Sequence, residues 1–100
     1  MKSITDMTHE VVDLVSTKFP EWKGEWHDVP KMMMYIVTEC AEAMEAWRDD
    51  NHEEFAEELA DIYIRLLDYA AKTDVDLEAE YEKKMAKNWG RPLHHGRINI

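Results

Sequence analysis

From Lys31 to Trp89 the chain contains neither glycine nor proline. Tight β-hairpins need those residues at their turns, so a sheet of short strands is excluded over this stretch. Apolar residues instead recur three and four positions apart, the period of an amphipathic helix. The pattern predicts an all-α fold of four helices. The first covers roughly residues 5–18, with Met7, Val11, Leu14 and Val15 on one stripe and Ser3 and Asp6 as a capping pair, and Pro20 closes it. The second runs from about residue 31 to 48, capped by Asp28 with Pro30 in its first turn, along the stripe Met33, Ile36, Val37, Cys40, Ala43, Met44 and Trp47. After a turn at 49–52 the third spans about 53–72, with Phe55, Leu59, Ile62, Leu66 and Ala70 in register. The fourth covers about 75–88, capped by Asp74 or Asp76 and stopped by the GRP at 90–92.

One hundred residues, 45% apolar, make a single domain with a modest core over 1–100 and a basic tail at about 89–100. A core this small is often completed by a second copy, and apolar residues off the main stripes, such as Ile64, point the same way, so a homo-oligomer is expected. No run of 18 apolar residues exists, so no membrane span is expected. The first ten residues lack an apolar signal core, and the lone Cys40 fits a reducing compartment; the expected location is cytoplasmic.

The net charge of −10 argues against a nucleic-acid partner. That charge is unevenly spread: residues 83–100 carry 5 basic residues and no acid. An acidic centre that takes up metal beside a basic end that takes up anion would suit a metal–polyphosphate substrate. A basic helix terminus complementing the helix dipole is the plainer reading.

The acids around the turn are spaced in a telling way. Glu39 and Glu42 lie three apart on the second helix, and Glu58 and Asp61 repeat that spacing on the third. Both cross-pairs share residue 50 as their midpoint. If the hairpin closes there, Glu42 faces Glu58 and Glu39 faces Asp61. Four ionised carboxylates at one level repel one another, and a hard divalent cation would relieve that. All-oxygen ligands favour Mg²⁺, with Mn²⁺ as a substitute. A di-iron bundle would need Glu-x-x-His units, and the chain has none. A solvated acidic face also explains the spacing, since Glu58 and Asp61 lie opposite the third helix's apolar stripe and Arg65 stands four residues after Asp61. On the fourth helix Leu77, Tyr81, Lys84 and Asn88 share one face. Lys84 and Asn88 directed toward the bundle would serve a polar ligand; Lys84 reaching a carboxylate is the alternative.

The run ECAE followed by EELAD resembles the E-x-x-E … E-x-x-D signature of MazG-like nucleotide pyrophosphohydrolases, of the all-α NTP pyrophosphatase superfamily. WHDVPKMMMYIVTECAEAMEAW is similar to the family's helix leading into the first acidic pair, and KMAKNWGRPLHHG to its K-x-x-x-N segment with a basic stretch after it. Thr38 and Ala60 depart from the Glu and Gly that many members carry there. The resemblance implies Mg²⁺-dependent cleavage of a nucleoside triphosphate to a monophosphate and pyrophosphate. It implies that Glu39, Glu42, Glu58 and Asp61 hold the metal and that Lys84, Asn88 and Arg91 hold phosphate or sugar. Glu39 is the choice for the carboxylate that orients or deprotonates water, because its half-apolar flank should raise its basicity. Trp26 with His27, in the loop before the metal helix, is the choice for contacting the base. Two other classes remain open: a non-catalytic helical interaction module, and a nucleotide-binding regulator with little turnover.

Overall fold

A computed structural model describes residues 1–21 and 28–92. Four helices follow one another: α1 (Ile4–Lys18), α2 (Val29–Arg48), α3 (His52–Lys72) and α4 (Leu77–Trp89), with no strand among the described residues. The all-α expectation is met, and each helix end lies within two residues of its predicted place.

Side chains chosen by the sequence start every helix. Ser3 and Asp6 form a reciprocal capping box on α1: the Asp6 amide donates to Ser3 Oγ at 3.0 Å, and the Ser3 amide donates to Asp6 Oδ2 at 3.2 Å. Asp28, Asn51 and Asp76 each accept an amide from the first turn of α2, α3 and α4. Asp74, the other candidate cap for α4, closes α3 instead.

Two helices end in the same device. After α2, the Asp50 amide donates to Trp47 O at 3.1 Å and the Asn51 amide to Ala46 O at 2.9 Å. After α3, the Asp74 amide donates to Ala71 O at 3.2 Å and the Val75 amide to Ala70 O at 2.8 Å. This is the Schellman pattern, which satisfies carbonyls the helix leaves open. It requires a left-handed residue, and Asp50 (φ 56°) and Asp74 (φ 60°) supply it. Aspartate tolerates that region better than most non-glycine residues.

The core is a small cluster of Val11 and Val15 on α1 with Leu67 on α3, ringed by Ile4, Met7, Ile64 and Leu77. Ile64 is therefore covered by α1 of the same chain, and its position no longer argues for a second copy. The α4 start is tied to α1 by the Thr5 amide, which donates to Glu78 Oε1 at 3.0 Å. Asp68 is buried in α3, and Lys72 Nζ one turn on donates to it at 2.8 Å, so the charge is paired.

On α2 the buried positions differ from the predicted stripe. Met32, Ala43 and Ala46 are buried, while Met33, Val37, Cys40, Met44 and Trp47 are exposed. A single period fitted to α2 merged two faces. Met32, Ala43 and Ala46 are on the buried one, and Met33, Val37, Met44 and Trp47 are on the outward one. Leu59 and Leu66 of α3 are also exposed.

The left-handed turn at Asp50 yields a test. Asp50→Gly should change stability by less than about 0.5 kcal/mol, whereas β-branched Asp50→Val should cost about 1–2 kcal/mol. Urea denaturation midpoints of the two variants measure this, and equal midpoints would mean that position 50 is not held left-handed.

Candidate metal and nucleotide site

The hairpin turn sets the register of α2 against α3. Trp47 packs on Phe55, ring centres 5.1 Å apart, and meets His52 edge-on at the same distance. One level further from the turn lie the acids. Ligand oxygens of Glu39, Glu58 and Asp61 all lie within 4.8 Å of one another. Glu42 adjoins this group of three: its carboxyl is the chief neighbour that raises the proton affinity of Glu58. Glu39 thus meets Asp61 across the helices, at the level set by the shared midpoint at residue 50.

Crowding shows in the proton affinities. The carboxyl of Glu58 is pushed up to about 7, first by the hydrogen bond shared with Glu42, then by desolvation and by the charges of Glu39 and Glu42. Glu39 is also raised, chiefly by burial and next by the charge of Glu42, while Arg65 pulls it back. The Glu39 side chain is largely buried, 16% exposed.

Arg65, one turn after Asp61 on α3, pairs with a carboxylate of the facing helix. It crosses to α2, where its Nε lies 3.5 Å from Glu39 Oε1. Its guanidinium stands over the Tyr35 ring at 5.2 Å, and Nη1 donates to the Tyr69 hydroxyl at 2.7 Å. Tyr35 and Arg65 have the same midpoint as the acidic pairs, so the signal for this contact was available in the sequence.

The fourth helix departs from expectation. Lys84, Asn88 and Arg91 are exposed rather than directed into the bundle. The described packing of α4 is against α1, through Leu77 and Glu78 at its start. The face bearing Lys84 was assigned inward because Leu77 and Tyr81 share it, but only the first turn of α4 reaches the core. Lys84 has no carboxylate within ion-pair distance among the described residues. Trp26 and His27 lie outside the described residues.

Residues 27–95 match the family model of the MazG nucleotide pyrophosphohydrolase domain. The chain belongs to that family. The match spans both acidic pairs of the hairpin and the Lys84–Asn88 segment. No curated protein and no solved structure matches the chain. Membership in the MazG family points to pyrophosphohydrolase activity on a nucleotide. The family is usually metal-dependent, and the all-oxygen cluster of Glu39, Glu58 and Asp61 suits a hard divalent cation. No helix among the described residues is long and apolar enough to cross a membrane.

The raised proton affinity of Glu58 predicts how stability varies with pH. An unfolded chain ionises this group near 4.5, the folded one near 7. Its contribution is therefore fully present below the lower value, declines as the unfolded state alone loses the proton, and is gone once both are ionised. Without divalent cation, the melting temperature should fall from pH 5.5 to pH 8, and Glu58→Gln should flatten that fall. Parallel thermal scans of wild type and variant in EDTA test it; identical slopes would remove Glu58 as the source.

Proposed function

We propose that this MazG-family chain is a Mg²⁺-dependent nucleoside triphosphate pyrophosphohydrolase, releasing a nucleoside monophosphate and pyrophosphate, and that Mn²⁺ can replace Mg²⁺. The observation that carries the proposal is the convergence of the carboxylates across the α2–α3 hairpin, with Glu58 pushed to about 7 by its neighbours. Such a cluster is strained by its own charge until a cation enters. Glu39, Glu42, Glu58 and Asp61 are the proposed ligands. When bound, the cation would screen the polyphosphate and make an attacking water more acidic.

The chain's own groups supply the rest. Glu39, half-buried and with a raised proton affinity, is the proposed base that orients the water and accepts its proton. Lys84 and Asn88 stand one turn apart on α4, and Arg91 lies just beyond its end; all are exposed and available to phosphate or sugar oxygens. Lys84 offers a point charge and Arg91 a planar fork of donors. Trp26 and His27 remain the proposed contacts to the base.

A pyrophosphate-release assay over canonical and modified nucleotides, with and without Mg²⁺, tests the reaction. Glu42→Gln should abolish turnover with the helical signal intact, while Glu45→Gln, outside the cluster, should be nearly silent. Lys84→Ala should raise KM and leave Mg²⁺ binding unchanged. Alike behaviour of Glu42→Gln and Glu45→Gln would return the acids to a solvated face and favour an interaction module. Nucleotide binding without pyrophosphate release would favour a regulator.

We also propose that the working form is a homo-oligomer. Met33, Val37, Cys40, Met44 and Trp47 form one exposed stripe on α2 with spacings of four and three, beside exposed Leu59 and Leu66 on α3. A second copy of the chain is the proposed cover for this face. Light scattering should give at least twice the 11.9 kDa of one chain. Val37→Glu, at the middle of the stripe, should shift the mass toward the monomer, and a monomeric wild type at micromolar concentration would refute the assembly.

A further inference from the structure

Arg65 holds an unusual position for a surface-helix arginine. It stands at the level next to the acidic cluster, on the side away from the turn. Contacts with Tyr69, Tyr35 and Glu39 help to fix it. Tyr69, itself buried, accepts a hydrogen bond from Nη1 at 2.7 Å. Tyr35, on the facing helix, lies under the guanidinium at 5.2 Å. Glu39 is met by Nε at 3.5 Å. The two aromatic contacts do not involve the acids, so the guanidinium is oriented by Tyr35 and Tyr69 before Glu39 is considered. A flexible acid side chain then meets a cation held in a fixed place, and only 20% of the Arg65 side chain remains exposed.

We propose that Arg65 is a positioning residue for the metal centre, holding the Glu39 carboxylate beside Glu58 and Asp61 in the geometry that receives a divalent cation. This rests on the metal reading given above and adds a residue to it. Two effects of the guanidinium oppose each other. Its charge repels an incoming cation, which taken alone weakens binding. Its fixed contact keeps Glu39 from turning toward solvent, away from the carboxylates it must work with. Partners of metal ligands that orient them are typically worth 10–100-fold in metal affinity. A single guanidinium charge near a half-exposed site is screened by water, so orientation is the larger effect here. The fork geometry matters as well: lysine can replace the charge, but it cannot stack on Tyr35, donate to Tyr69 and meet Glu39 with one rigid group.

The experiment uses the whole chain without nucleotide and Mn²⁺ as the probe, with bound and free ion separated by electron paramagnetic resonance. Wild type, Arg65→Gln, Arg65→Lys and Tyr69→Phe are compared, each with its thermal midpoint and circular dichroism. Arg65→Gln should bind Mn²⁺ at least 10-fold more weakly, and Arg65→Lys should resemble Arg65→Gln rather than wild type. Tyr69→Phe keeps the buried ring and removes only the hydroxyl that Arg65 donates to; it should give a smaller loss in the same direction, which keeps the test valid if an Arg65 variant fails to fold. Equal or tighter Mn²⁺ binding by a folded Arg65→Gln would overturn the proposal and leave Arg65 as a competing cation. Full recovery in Arg65→Lys would overturn it too, since charge alone would then suffice. Failure of the wild type to bind Mn²⁺ is a separate result: it removes the metal reading itself.

Discussion

The carboxylates that Glu39, Glu58 and Asp61 bring together between α2 and α3 repel one another, with Glu42 close by, and neighbouring groups offset part of that repulsion. Water relieves part of the repulsion, because the site is only half-buried. The Glu42 carboxyl and the other neighbours raise the proton affinity of Glu58, and a proton taken up there relieves more. Arg65 offsets the charge of Glu39 from the opposite side. Under the proposed metal reading, a divalent cation would take over this compensation.

The close approach of α2 and α3 has a cost on the outside of the hairpin. Ala43 and Ala46 occupy the buried face of α2 together with Met32, while Met33, Val37, Met44 and Trp47 are turned outward. Among the described residues, α1 packs on Ile64 and Leu67 of α3, and α4 meets the core through Leu77. The geometry that assembles the acids and the exposure of the α2 stripe are two sides of one packing choice.

Placement of the hairpin turn is what converts sequence spacing into a site. The Schellman closure at Asp50 and the Asn51 cap of α3 are consecutive, so one helix stops and the next starts with almost no slack. A slip of one residue would rotate Glu58 and Asp61 by about 100° relative to Glu39 and Glu42 and disperse the cluster. Asp50 in the left-handed region is thus as much a determinant of the site as the acids themselves.

The sequence by itself determined the helices, their caps and the meeting of the acids. Those depend on short-range hydrogen bonds, on helical period and on a turn of fixed length, all of which are local. Even the Tyr35–Arg65 contact was legible, because it obeys the same midpoint. Only the tertiary structure decided which face of α2 is buried, since two apolar stripes on one helix fit the same period and only contact with α3 selects between them. It also decided that α1 covers Ile64, that Asp74 ends α3 rather than starting α4, and that Arg65 serves Glu39. The exposure of Lys84 and Asn88 belongs to the same category. A helical wheel ranks the sides of α4 by polarity, but the depth to which α4 is engaged depends on the reach of its neighbours, and that is a property of the assembled chain.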